Sequence, residues 1–324
     1  MKYIWPEIGN QKAISFLEKN IDNGLLANSY IFSGIRDLGK FSLAKSFARN
    51  IFVKDRPELG NIDDLDNFLE INSDFLLIER QADKKNISIE QIRFLISFLS
   101  SGSFLNSYRV VVIKDAENLN QNSANALLKI LEDFKDKLII ILTVNHLDYL
   151  PKTILSRSQI INLSPLNFDQ TYSLIKDEYK LNPSETKNIA KLSMGRPMLA
   201  RKFIRDSEFY SNYRQVAEQL IDFLSADLVG RSSLIDDLCR FDSEIGENLS
   251  VIDIWRSLFR DLNFLDYNRP DLVQNDFLID KMKENIKKEE KFVLEAELVF
   301  KRADSYLESN MSLRSVLEYI AINI

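Results

Sequence analysis

The chain has 324 residues, 45% hydrophobic and 28% charged, with a formal net charge of −6. This is the composition of an ordinary soluble globular protein of two or three domains. Its overall field does not favour phosphates, so any contact with DNA has to come from a local patch or a share in a larger assembly. Cys239 is the only cysteine and His146 the only histidine, which excludes an internal disulfide and a Cys/His zinc site. The opening M-K-Y-I-W-P-E-I-G lacks the apolar core of a signal peptide, and the longest apolar runs, near 138–144, are far too short to span a bilayer. The expectation is a cytoplasmic protein with no membrane partner.

In chain order, Ile14, Leu17 and Ile21 fall at helical spacing, with Gly24 as the stop. A strand over 29–32 leads into S-G-I-R-D-L-G-K-F-S, residues 33–42, and a helix follows over 43–52. Residues 55–67, with Pro57, Gly60 and four aspartates, read as an exposed connection. Residues 75–79 read as a short strand. Ser88 is expected to cap a helix over 90–99 whose inner face is Ile89, Ile92, Leu95, Ile96 and Leu99. Residues 108–114 and 138–144 are unbroken β-branched and apolar runs, as strands buried on both faces require. Between them lies an amphipathic helix over 120–134 with Leu127, Leu128 and Leu131 as its stripe. Strands alternating with helices predict a parallel α/β sheet. After Pro165 the strands stop. Helices are expected over 168–179, over 183–193 and from Leu199, then throughout 211–324 with turns near Gly230, Gly246 and 268–270. Trp255, Leu258, Phe259, Leu262 and Phe264 form a long apolar series, which is either an internal core or a surface left for assembly.

Residues 34–40 are a phosphate-binding loop up to its last position: Gly34, four residues, Gly39, Lys40. Glycines let backbone N–H groups approach phosphates, the lysine reaches the terminal phosphates, and a following Ser or Thr holds Mg²⁺. Here that residue is Phe41, which cannot ligate a metal, and Ser42 lies about 100° further round the helix.

Three segments in order resemble the clamp-loader AAA+ family of bacterial DNA polymerase III, most closely its delta-prime type. They are A-N-S-Y-I-F-S-G-I-R-D-L-G-K at 27–40, V-V-V-I-K-D-A-E-N-L-N-Q-N-S-A-N-A-L-L-K-I-L-E-D at 110–133, and L-P-K-T-I-L-S-R-S-Q at 150–159. The resemblance covers about the first 200 residues and, more loosely, the tail N-M-S-L-R-S-V-L-E-Y at 310–319. It implies an α/β AAA+ parallel-sheet nucleotide fold over 1–163, a small helical lid over 164–207 and an all-α collar over 208–324. It also implies a subunit that does not hydrolyse ATP, working beside gamma/tau ATPase subunits and a delta subunit, and meeting the sliding clamp and primer–template DNA through the assembled complex.

The resemblance assigns roles residue by residue. Lys114 stands where the family's metal-ordering Asp ends its strand, so the metal position is lost there as well as at Phe41, unless the register slips by one and Asp115 is the ligand. Gly34, Gly39 and Lys40 are a vestigial nucleotide site, which either still takes a phosphate or serves packing alone. Thr143 and Asn145 occupy the first sensor, where capping the strand end is an equally good role. Met198 replaces the second sensor's Arg, and Arg196 is out of register. Arg157, in S-R-S, holds the place of the arginine that reaches a neighbour's ATP, with Ser158 replacing the usual Cys; a solvated surface Arg is the plain alternative. No cofactor is required, residual ATP or ADP binding is left open, and no zinc is expected. Residues 55–67 stand where relatives carry a zinc module.

Overall fold

Residues 29–33, 109–113 and 138–144 are apolar or β-branched almost throughout, and every one of them is buried. They are strands β1 (Ser29–Ser33), β3 (Arg109–Ile113) and β4 (Leu138–Val144) of one sheet, flanked by β2 (Phe75–Ile78) and β5 (Gln159–Asn162). The order is β2-β3-β4-β1-β5 and every pairing is parallel. A parallel pair needs a crossover, and here the crossovers are helical: α1 (Gln11–Asn23) precedes β1, and α2 (Lys40–Asp55), α3 (Leu65–Glu70), α4 (Ile89–Ser100), α5 (Gln121–Asp133) and α6 (Lys152–Leu155) lie between the strands. This computed structural model describes residues 3–61, 64–81, 84, 86–100, 108–133, 137–245, 249–285, 291–309 and 311–323. The chain divides into two compact units, Met1–Leu166 and Asn167–Ile324. No described helix is long and apolar enough to cross a membrane.

The first unit follows the expected alternation, with local corrections. Helix α2 begins at Lys40, three residues early, because Gly39 (φ 87°) turns the loop directly into the helix. The polar 55–67 segment is not all connection. Asp64 accepts hydrogen bonds from the N–H groups of Asp66 and Asn67, capping α3, which buries Phe68 and Leu69. Strand β5 has no expectation behind it: only two apolar residues stand between polar ends. On α4, Ile92, Leu95 and Leu99 are buried, but Ile96 is exposed and Ile89 half-buried. On α5 the core is Ala124, Leu127 and Ile130, with Leu128 and Leu131 half-buried beside it.

The second unit is helical among its described residues: α7 (Phe168–Tyr179), α8 (Pro183–Leu192), α9 (Pro197–Arg205), α10 (Ser207–Ser225), α11 (Leu228–Ile245), α12 (Val251–Asp266), α13 (Ile279–Asn285), α14 (Lys291–Glu308) and α15 (Leu313–Asn323). Asn167, Asn182, Asp206 and Ser250 each accept a hydrogen bond from a first-turn N–H, which fixes four helix starts. One apolar core runs through the unit from Ile175 to Ala321. Trp255, Leu258, Phe259 and Leu262 are buried within it and Phe264 is half-buried, so this series is internal packing rather than an assembly surface. Gly230 is not at a turn but in the first turn of α11; Gly246 lies outside the described residues. A buried polar network crosses the core. Asp261, fully buried, accepts from the N–H groups of Gln274 (2.9 Å) and Asn275 (2.8 Å) and from Asn275 Nδ2 (2.7 Å), and burial pushes its carboxyl above the usual range. Tyr213 donates to Asn275 Oδ1 (2.6 Å), and Gln274 Nε2 to Leu192 O (3.0 Å).

Candidate functional site

The glycine loop leaves the carboxyl end of β1. Gly34 has φ 146°, and a Cβ there would meet Leu163 O at 2.5 Å; at Gly39 a Cβ would meet Ile8 Cγ2 at 2.4 Å. Both glycines are therefore required by the loop's own packing as well as by any phosphate. Lys40 is 6% exposed, and its ammonium donates to Gly34 O (2.5 Å), Ile35 O (2.8 Å) and Asn145 Oδ1 (2.9 Å). An ammonium has three protons, so the lysine is fully engaged by this chain. Desolvation lowers its pKa to about 8, against the opposing pull of Glu117, Asp115 and Asp37.

Beyond Lys40 the contact chain continues: Asn145 Nδ2 donates to Glu117 Oε1 (2.5 Å). Burial pushes the Glu117 carboxyl up. Sequence reasoning missed Glu117, because four residues past a strand end is not where a loop partner is sought. Of the two first-sensor candidates only Asn145 reaches the loop lysine. Thr143 is buried, and its Oγ1 accepts from the N–H of Asp115 (2.9 Å), which turns through φ 51°.

The two positions that the resemblance would give to a metal are held by Phe41 and Lys114. Phe41 and Lys114, 73 residues apart, meet: the Lys114 ammonium lies 5.2 Å from the centroid of the Phe41 ring, and Lys45 lies 4.9 Å from it. Lys114 also pairs with Glu79 (3.1 Å) and Lys45 with Asp66. A cation over a ring face is an attractive contact, so the two side chains support one another. Where a divalent cation needs free oxygens, this corner offers a ring and two ammonium groups that already engage the carboxylates of Glu79 and Asp66. Among the described residues no group of three or more His, Cys, Asp or Glu is placed to hold a metal ion.

Arg157 is at the other end of the sheet. Gln159 pairs with Tyr30 at the amino end of β1, and Ser158 Oγ bonds Ser29 Oγ (2.7 Å) and Ile154 O (2.9 Å). The loop leaves β1 after Ser33, about 13 Å away along the strand. The Arg157 side chain is 41% exposed; it pairs with Glu132 of α5 (2.8 Å) and donates to Thr153 O (3.2 Å). In the second unit, Met198 is half-buried with its sulfur 3.5 Å from Arg201 Nη1, and Arg196 is buried at the start of α9, donating to Ser193 O (3.2 Å).

A five-stranded parallel sheet in this order, with a glycine loop after β1, defines an α/β AAA+ nucleotide fold. Residues 9–167 match the family described as "DNA polymerase III, delta subunit", and this stretch belongs to the AAA+ clamp-loader family of DNA polymerase III. The chain is similar to DNA polymerase III subunit gamma/tau of Mycoplasma genitalium, 29% identical over 195 residues that cover 58% of this chain and 32% of that protein. It is also similar to subunit delta′ of Haemophilus influenzae, 30% identical over 122 residues, 38% of this chain and 37% of that one. The alignments thus span about a third of these two relatives' own length. A solved DNA polymerase III gamma subunit-related protein from Thermotoga maritima superposes with a TM-score of 0.48 at 17% identity, covering 95% of this chain and 98% of that one.

Proposed function

We propose that this protein is a non-hydrolysing, delta-prime-type subunit of the DNA polymerase III clamp loader, which helps load the sliding clamp onto primed DNA during replication. The observation that carries the reading is the Phe41–Lys114 contact: both groups that would hold Mg²⁺ are replaced, and the replacements bind each other. Phosphoryl transfer rests on the metal and on positioning, so nothing remains at this loop to organise the reaction. The loop would then be a scaffold closed by its own lysine, requiring no cofactor.

The second half of the proposal concerns Arg157. Arg157 adjoins a residue tied to the amino end of β1, whereas the loop leaves its carboxyl end; this suits reaching outward rather than inward, and its acidic partner Glu132 is exposed. We assign it as the arginine finger for the ATP of a neighbouring gamma/tau-type subunit, with a delta subunit, the clamp and primer–template DNA met through the complex. The helices of 208–324 would supply the collar contacts. The test of the first half is an ATPase assay of the purified chain. The expected result is no turnover; a rate on the order of 1 s⁻¹ or faster marks a self-sufficient ATPase and overturns the reading. For Arg157, Arg157→Ala and Arg157→Lys should both let the loader assemble but slow one ATP site, because Lys keeps the charge and loses the planar fork.

A further inference from the structure

The Arg157–Glu132 pair carries an inference that rests on the finger reading above. We infer that Glu132 is a positioning residue for Arg157: it holds the guanidinium against α5 until a phosphate oxygen from a neighbouring subunit displaces it. Three observations support this. First, the backbone around Arg157 is tied to the core while its tip is exposed, held by Glu132 and by Thr153 O. Ser158 is tied to Ser29 and Ile154 on one side, and Ile154 is fully buried on the other, whereas the guanidinium lies at the surface. Second, Glu132 is poorly placed for a carboxylate. It lies next to Asp133 among the final described residues of α5, where no basic residue is described within the same turn, and two neighbouring carboxylates favour a cation close by. Arg157 supplies that cation at 2.8 Å. Third, the side chains are 41% and 45% exposed. An ion pair that open to water contributes little net stability, so it can orient the guanidinium and still yield to a stronger acceptor. Arg to phosphate is a forked, charge-assisted contact, and the exchange of carboxylate for phosphate needs only side-chain rotation.

The pair therefore acts as competition: Glu132 and the neighbour's γ-phosphate contend for one guanidinium. Removing the competitor should tighten ATP at the adjoining site without slowing chemistry. The experiment is single-turnover and steady-state ATPase of the reconstituted loader carrying Glu132→Gln, Glu132→Asp or Arg157→Ala, with thermal melting of each free subunit. Glu132→Gln should lower the KM for ATP at the adjoining site about twofold to fivefold and leave kcat within error. Glu132→Asp, which keeps the charge, should behave as wild type. Arg157→Ala should lower kcat, and all melting temperatures should agree within about 2 °C. If Arg157→Ala slows the site but Glu132→Gln changes nothing, or lowers kcat instead of KM, the holding role is wrong and the finger stands. Should Arg157→Ala itself have no effect, the finger reading falls and this inference with it.

Discussion

Lys40 holds the loop shut, and its burial makes that hold sensitive to pH. Its pKa is about 8 in the folded chain against 10.5 unperturbed. Below pH 8 both folded and unfolded chains carry the proton. Between 8 and 10.5 the unfolded chain binds more protons than the folded one, so this group's contribution to stability rises with pH across that window. A Lys40→Met variant should lose the rise, read as the difference between the two proteins' urea midpoints measured from pH 7 to 10.5; parallel curves would contradict the buried ammonium. At Phe41 the expectation is negative. Phe41→Thr supplies a hydroxyl, but Lys114 still repels a metal, so on the proposed reading the change should bring neither ATP hydrolysis nor Mg²⁺-dependent nucleotide binding. The same change removes two cation–ring contacts, each worth about 0.5–1 kcal/mol, and should lower the melting temperature slightly. Much of this residue-scale chemistry could not be read from the chain. Phe41 and Lys114 are each visible as misfits, but their contact spans 73 positions, that of Lys40 with Asn145 spans 105, and that of Arg157 with Glu132 spans 25.

Elements were legible where periodicity was strong and illegible where burial was slight. The three central strands and α1, α7 and α8 announce themselves by unbroken apolar runs or by regular spacing with a cap. Strand β5 is an edge strand with a single buried residue, Ile161, too little apolar character to signal a strand. Helix α3 was hidden by its own cap: Asp64 and its acidic neighbours look like loop until Phe68 and Leu69 are seen to need burial. Gly230 looked like a turn because glycine disfavours helices; in the first turn of α11 its N–H instead bonds Asp227 Oδ1 (2.8 Å). In α12 periodicity marked a buried face but not what covers it, since the cover comes from α10 and α14. The polar counterpart of that face is Asp261. Asp261→Ala would strip three donors of their acceptor at once, and buried unpaired donors cost about 1–3 kcal/mol each. A loss of about 3 kcal/mol or more in urea unfolding is expected, whereas Asp261→Asn, which retains one acceptor oxygen, should lose less.

At the scale of the whole molecule, the helices expected as a lid and those expected as a collar share one core. Phe203 of α9 packs tilted against Phe209 and edge-to-face against Tyr213 of α10 (5.2 and 5.1 Å between centroids), and Leu192 O accepts from Gln274. Cutting the chain at 207 should therefore damage the part that is kept. A fragment ending at 166 is expected to unfold cooperatively on its own. One ending at 207 should be trimmed rapidly back to about 166 by protease, because α7–α9 have lost most of the surface they pack on. Equal resistance of the 167–207 stretch in the full chain and in the longer fragment would show that these helices stand without the rest.

The contact between Phe41 and Lys114 also bears on reversibility. Changing Lys114 alone to an acid would set a new carboxylate beside Glu79, now 3.1 Å from the ammonium, and beside a ring that offers a metal nothing. Changing Phe41 alone leaves a hydroxyl facing an ammonium. Each single step discards a favourable contact and gains no chemistry; only the two together could begin to rebuild a metal site. On the non-hydrolysing reading proposed above, the mutational landscape around this loop is a ratchet: any route to a metal-dependent catalyst runs through proteins worse than the present one, so a barrier in sequence space adds to the one set by the shape of the site.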